Sequence, residues 1–426
     1  MDAKFAAIAA IFLFGNNTME NQFDIIIIGG GIVGAATMFK IQEHNPRLRI
    51  LLLEKEDKPA FHQTGNNSGV IHSGLYYKPG SLKAKNCVSG RKALVSFASQ
   101  YKIKHDVCGK VVAAVTPEEL PFMQKIFENG VANQIEGIEM IDSNQVRDIE
   151  PFVKSIGGIW VPVTGIIDFK GATAKMIELA LAINPESRLM LNTEALDFKT
   201  GENLTEVITN RGSYFGWKTI FCGGLQADRL AKKNGVKLEE KVVGFRGDYY
   251  ELTDQGKHKV RNLIYPVPNP DFPFLGVHFT RMVDGEIECG PNAVFTFKRE
   301  GYGKTDFNLS DTWDALTYSG TWRLFLGNIK FGLDEYRRAF SKRLFLKTLQ
   351  RLIPDLTADD IRPGRAGVRA MLLNKSGDTR DDFRIEKTDH SIHVLNAPSP
   401  AATACLAIGD QIREMAEAHF GLKDRK

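Results

Sequence analysis

The sequence predicts an α/β protein: a Rossmann-like dinucleotide-binding domain with an inserted, mainly antiparallel β-sheet domain. An apolar run, Phe23-Asp24-Ile25-Ile26-Ile27-Ile28, ends in Gly29-Gly30-Gly31-Ile32-Val33-Gly34, and a second run, Arg49 to Leu53, closes on Glu54. A less defined strand–glycine–helix sequence recurs at Lys218 to Asp228. Residues 240–300 are instead rich in strand formers and prolines, the composition of a separate β-sheet domain.

The first unit follows from its residues. An uninterrupted apolar strand suits a parallel strand buried on both faces. Gly29 allows the tight turn, Gly31 lets the backbone approach a pyrophosphate, and Gly34 lets the helix pack close to the strand. Ile32 and Val33 open that helix, whose free N–H groups and positive dipole end favour phosphate. Glu54 ends the second strand, where an acid accepts hydrogen bonds from a ribose 2′-OH, and Lys55 follows it into the same site. A bare GxGxxG carries little weight. Strand, turn, helix, strand and acid in order point to a dinucleotide, NAD or FAD alike.

Residues 58–80 are polar, glycine-bearing and without helical period, a long loop of the kind that carries function. A helix is expected over 81–102, a strand at Val111 to Val115, and a capped helix start at Thr116-Pro117-Glu118-Glu119. Sheet edges over 157–169, a helix near 170–182 and a strand from Ser187 to Asp197 follow. Residues 311–353 read as helical and basic. A strand at 391–395 leads through Asn396 to Ala402 into a last helix. Dinucleotide-like pieces therefore recur, dividing the chain into a discontinuous cofactor domain (23–85, 187–235 and 391–426) and a second domain (86–186 and 236–390), behind a tail at 1–22.

At 426 residues, 43% hydrophobic and 25% charged, the chain is a globular protein of two or three domains. A net charge of +4 is too weak to argue for nucleic acid. Cys87, Cys108, Cys222, Cys289 and Cys405 are odd in number, form no CxxC and keep no metal spacing with histidine. They read as reduced thiols of a cytoplasmic protein, with no metal site. No apolar run reaches the roughly 18–20 residues of a membrane span. Phe5 to Phe14 has the length of a signal h-region, but one Asp and one Lys precede it and no clear A-x-A site follows. Residues 1–18 read as an extension upstream of a natural start at Met19 or as a disordered tail; a secretion signal and a membrane-touching anchor are the other readings.

The stretch His62 to Lys85 (HQTGNNSGVIHSGLYYKPGSLKAK) resembles the FAD-dependent L-2-hydroxyglutarate dehydrogenase/oxidase family, within the D-amino-acid-oxidase-like flavoproteins. Further segments match in order: Gly244 to Tyr250, Tyr265 to Pro268 and on to Gly276-Val277-His278-Phe279, Gly290 to Ala293, Ala366 to Ala370, and Asn396 to Thr403. The likeness covers about residues 22–420. Cys222-Gly223-Gly224 stands where the family more often has Cys-Ala-Gly, and Arg365 where Pro is common. The Arg365 change adds a charge near the presumed substrate side.

The resemblance implies FAD as cofactor and oxidation of L-2-hydroxyglutarate to 2-oxoglutarate. Hydride passes from C2 to flavin N5 while a base takes the hydroxyl proton, and electrons go on to a quinone or oxygen. Another 2-hydroxy acid or glycerol 3-phosphate is the alternative substrate, and a non-catalytic flavin- or nucleotide-binding protein the alternative class. His72 is the candidate base, or else a structural histidine orienting its loop. His278 is its rival, as base or carboxylate ligand. A small dicarboxylate needs cations, and the arginine fork pairs bidentately with a carboxylate. Arg369, flanked by small residues, is the first candidate, with a structural ion pair as its other reading, and Arg246 is the second. Tyr76 and Tyr77 either hydrogen-bond substrate or pack.

For the cofactor, Thr64, Asn67, Ser68, Gly69 and Val70 are expected along the flavin, with Gly223 from the second turn. Ser399, Ala401 and Ala402 are expected to open a helix whose N–H groups face the pyrimidine edge of the ring. Residues 321–351 set Arg323, Lys330, Arg337, Arg338, Lys342, Arg343, Lys347 and Arg351 against Asp334 and Glu335, among Trp322, Leu324, Phe325, Leu326, Phe331, Phe340, Leu344 and Phe345. Such a face suits peripheral contact with the inner side of a membrane, or else a solvated helix surface over a core stripe.

Overall fold

The structure is a computed structural model describing residues 20–268 and 276–422. The readings of residues 1–18 and of Asn269-Pro270 lie outside the described residues. Strand β1 (Gln22–Ile28) runs parallel to β2 (Ile50–Leu53) on one side and to β3 (Gly212–Phe221) on the other. Helix α1 (Ile32–His44) is the crossover between β1 and β2. Arg188–Met190 extends the sheet past β2, and Ser391–Asn396 pairs in parallel with the end of β3. Helices bury Ile25, Ile27, Ile50 and Leu52 on one face of the sheet, and Phe198, Val207, Tyr214 and Phe221 pack with Ile26, Ile28, Leu51 and Leu53 on the other. One of these helices, Cys405–Phe420, approaches α1 closely at Gly409, where a Cβ would lie 2.7 Å from the Ala36 backbone.

The helices Leu82–Gln100 and Phe169–Ile183 share this core through Leu94, Phe97, Met176 and Ile177. Residues 86–100 and 169–183, expected in the second domain, thus pack with the cofactor sheet. Their place in the chain misleads because a parallel sheet recruits any helix with an apolar face.

The second sheet has nine strands, almost all antiparallel. At one edge β4 (Lys241–Leu252) pairs with β5 (Ile361–Leu373), so that Phe245 faces Arg369 and Arg246 faces Val368. Among the described residues, its one parallel pair joins Leu263–Pro266 to Lys110–Ala114. A small sheet of Val70–Ile71, Gly165–Ile167 and His105–Asp106 anchors the long loop before His72.

The basic segment forms the helices Leu309–Leu316, Ser319–Gly327, Ile329–Phe340 and Lys342–Leu349. It divides into two parts. Phe345, Leu346 and Leu349 enter the core, whereas Leu309, Trp313, Trp322, Leu326, Ile329, Leu333 and Phe340 are each at least half exposed. The last helix begins at Cys405, so residues 399–404 are turns and not the helix opening expected there.

Candidate active site

A cavity of ≈1150 Å3 is lined by the first glycine turn, the 60–72 loop, β5 and residues 396–403. At one end the backbone does the shaping. Gly29 has φ +109°, and a Cβ there would stand 2.4 Å from the Cys222 carbonyl oxygen. A Cβ on Gly34 would meet the Gly29 carbonyl at 2.0 Å, so Gly34 serves the helix–turn contact and does not line the cavity. Gly31 does line it, and a Cβ there would meet nothing nearer than Thr64 Oγ1 at 3.4 Å. Thr64 Oγ1 accepts the Ile32 N–H at 3.0 Å, tying the loop to the start of α1.

The Glu54 carboxylate, 7% exposed, accepts N–H groups from Gly30 at 2.9 Å and Glu56 at 3.0 Å. Gly30 was given no part from sequence; a Cβ there would press on Glu54 at 3.0 Å. Lys55 lines the cavity, yet its ammonium is held by Glu56, by Glu300 at 3.0 Å and by His62 at 2.8 Å. Ile32, Val33, Asn67, Ser68, Val70, Gly223, Ser399, Ala401 and Ala402 also line the cavity. Gly69 does not; its φ of +68° and its N–H to Asn67 Oδ1 shape the loop behind.

These residues fit FAD. A glycine turn leads into α1, and a buried carboxylate stands where a ribose hydroxyl binds. The volume also exceeds the about 300–1,000 Å3 of an ordinary small-molecule pocket.

The other end is made of side chains. The His72 N–H donates to Thr403 Oγ1 at 3.0 Å, and the Thr403 hydroxyl donates to the Val70 carbonyl at 3.2 Å. Residues near the C-terminus thereby set the His72 backbone. Burial, then Lys110, His278 and Lys83, push the His72 imidazole down to about 3. His278 Nδ1 lies 2.9 Å from the Gly276 carbonyl. A carbonyl only accepts, so the neutral ring carries its proton on Nδ1 and leaves the Nε2 lone pair available. Burial pushes His278 down to about 3 as well, and its ring stacks on Tyr265 at 4.0 Å.

Arg369 lines the cavity with Tyr76, Tyr77, Tyr249 and Tyr265. Burial lowers its pKa, opposed by the two tyrosines Tyr249 and Tyr265. Burial also holds Tyr76 and Tyr77 as neutral phenols. Neutral imidazoles, phenols and a guanidinium together make a pocket for an anion with a hydroxyl group.

Two arginines stand elsewhere. Arg246 is not in the lining: its Nε donates to Asp248 at 2.8 Å and its Nη1 to the Gly303 carbonyl. Gly247 and Tyr249, its alternates along β4, line the cavity instead, because strand neighbours point to opposite faces. Arg365 is likewise outside the lining; it pairs with Glu288 and donates to the Gly65 carbonyl at 3.0 Å, stapling the loop to the sheet. Gly367 allows that loop's close approach, since a Cβ there would meet Asn66 O at 2.4 Å.

Tyr249, Tyr265 and Lys83 were given no part from sequence, although all lie in the matched segments. Lys110 was missed too; its signal was a lysine opening the apolar strand Lys110–Ala114.

Residues 24–415 match the family described as FAD dependent oxidoreductase. The chain is 44% identical over 400 residues to an L-2-hydroxyglutarate dehydrogenase of Indibacter alkaliphilus, covering 94% of this chain and 100% of that protein. It is 42% identical over 392 residues to the enzyme of that name from Escherichia coli K12, covering 92% of each. The mitochondrial one of Nematostella vectensis is 40% identical over 427 residues, covering 95% and 92%. In structure the chain is similar to an FAD-bound L-alpha-glycerophosphate oxidase from Mycoplasma pneumoniae, with TM-score 0.74 at 22% identity over 93% and 94% of the two chains. A glycine oxidase from Geobacillus kaustophilus follows at TM-score 0.71 and 15% identity, over 93% and 95%. At such identities these structures speak for the fold alone. The chain belongs to the FAD dependent oxidoreductase family, among relatives that are L-2-hydroxyglutarate dehydrogenases, and its cofactor is FAD.

Proposed function

We propose that this protein oxidises L-2-hydroxyglutarate to 2-oxoglutarate and passes the electrons to a quinone or oxygen. The observation that supports this most is the grouping of His72, His278 and Arg369, from three distant segments, at one end of the cofactor cavity. FAD, when bound, supplies the two-electron acceptor for the hydrogen leaving C2. Arg369 binds the carboxylate beside C2 through its two-pronged fork. His72 takes the hydroxyl proton on a ring nitrogen. Burial keeps its imidazole neutral, and the negative charge of bound substrate offsets the field of Lys110 and Lys83 and restores its basicity. His278, with Nε2 as acceptor, orients the same hydroxyl. Tyr76 and Tyr77 donate to carboxylate oxygens.

The yellow holoenzyme should be bleached anaerobically by L-2-hydroxyglutarate and left unchanged by the D-enantiomer and by glycerol 3-phosphate. Bleaching by none of the three would overturn the reading.

The exposed helices suit a membrane surface reached from the cytoplasm. Trp313, Trp322, Leu326 and Phe340 stand out beside exposed Arg323, Lys330, Arg337, Lys342 and Arg343. Anionic vesicles should float the wild type and release a variant with Arg337, Lys342, Arg343 and Lys347 changed to Gln. Equal flotation of both would remove the membrane reading.

A further inference from the structure

Lys110 opens its strand on the same face as Val112 and Ala114 and is 1% exposed. It forms no ion pair among the described residues. Its ammonium instead sits over two rings, 4.6 Å from the centre of Tyr76 and 4.9 Å from that of Tyr265. Both rings line the cavity, and Tyr265 in turn stacks on His278. A lysine without a counter-charge in an apolar interior is costly, and ring faces compensate it only in part.

The charges of the site call for a second cation. A dicarboxylate brings two negative charges, and Arg369 matches one. Among the other basic residues of the lining, Lys83 is paired with Asp381 at 2.8 Å, Lys55 with Glu300, Arg229 with Asp311, and Arg380 with Glu240. Lys233 is bound to the Leu196 carbonyl.

We propose that Lys110 is a positioning residue for the second carboxylate of the substrate. Acting through the Tyr76 and Tyr265 rings, its ammonium supplies the charge that favours a dianion over a monocarboxylate. The inference rests on the dicarboxylate reading above.

Binding is then linked to protonation. Burial pushes Lys110 down to about 7, and Cys87 acts weakly the other way. An anion across the rings draws the proton back. His72 and His278 titrate near 3, and Cys87, Tyr76 and Tyr265 are all raised by burial, so none of these gives a step near neutrality. Substrate affinity should therefore fall above pH 7, by up to about tenfold per pH unit.

The test compares wild-type and Lys110→Met holoenzyme from pH 6 to 9.5, with flavin absorbance as the check of folding. KM for L-2-hydroxyglutarate should rise about ten- to a hundredfold in the variant. The rise of KM above pH 7 should flatten in the variant. A conservative Lys110→Arg variant should keep KM low and lose the pH limb, because its charge no longer titrates. Calorimetric binding of 2-oxoglutarate to the wild type, in two buffers of different ionisation enthalpy, should show proton uptake that grows from pH 6 to 8. A wild type that oxidises L-2-hydroxyglutarate without proton uptake, or a variant with the wild-type KM and limb, would overturn the role of Lys110 alone. A wild type that binds 2-oxoglutarate with proton uptake but does not oxidise L-2-hydroxyglutarate would overturn the substrate reading instead.

Discussion

At the cofactor end of the cavity, Gly29, Gly31, Ile32 and Glu54 belong to one contiguous β–α–β unit. At the substrate end, His72, His278 and Arg369 arrive from a loop, a sheet strand and β5. The two ends also treat charge differently. Glu54 is buried, and each of its carboxylate oxygens receives one N–H donor. Desolvation and nearby cations favour the neutral form of half-buried His72 and of buried His278. One end is built to hold a ligand permanently, the other to leave room for charge that comes and goes with substrate.

If the two ends are separable, their variants should fail differently. The largest effect is expected from His72→Ala: turnover should fall about 10²–10⁴-fold while FAD stays bound. Turnover close to wild type would move the proton transfer to His278 Nε2. Arg369→Met should lower kcat/KM about 10²–10³-fold, again with full flavin content, because a buried carboxylate loses its charged partner. If the flavin were lost instead, Arg369 would belong to the cofactor end.

Gly34→Val addresses the opposite end. The added atoms collide with the Gly29 carbonyl, so about 1–3 kcal/mol of stability should go, with weaker FAD retention. Thermal melts with and without added FAD would measure it, and an unchanged melt would mean that the turn can give way. Glu54→Gln should have the smallest effect, weakening FAD by about 1–2 kcal/mol in a flavin titration, with KM for substrate unchanged at saturating FAD. A shift in that KM would couple the two ends.

The two ends also differ in how much the sequence revealed. The cofactor unit was legible because its logic is local: an apolar run, three spaced glycines and a strand-terminal acid specify turn, helix and carboxylate without reference to the rest of the chain. Even there, Gly30 escaped notice, since its need arises from Glu54 pressing back across the sheet. At the substrate end the matched segments named His72, His278 and Arg369, but the spacing alone did not say that they meet. Tyr76 and Tyr77 were named with the His72 loop, but Tyr249 and Tyr265, which also wall the pocket, carried no pattern of their own.

Arg246 and Arg369 illustrate the boundary. Both sit on strands among small or apolar residues, and from the sequence each was a candidate carboxylate clamp. Pairing of β4 with β5 places Arg369 opposite Phe245 and Arg246 opposite Val368, so the two side chains leave the sheet on opposite faces. One reaches the cavity; the other finds Asp248 two residues along its own strand. Periodicity along a strand assigns residues to faces, and the linear code carried that much together with the whole dinucleotide turn. Which face meets the cofactor depends on strand partners far away in the chain, and only the folded sheet supplies them.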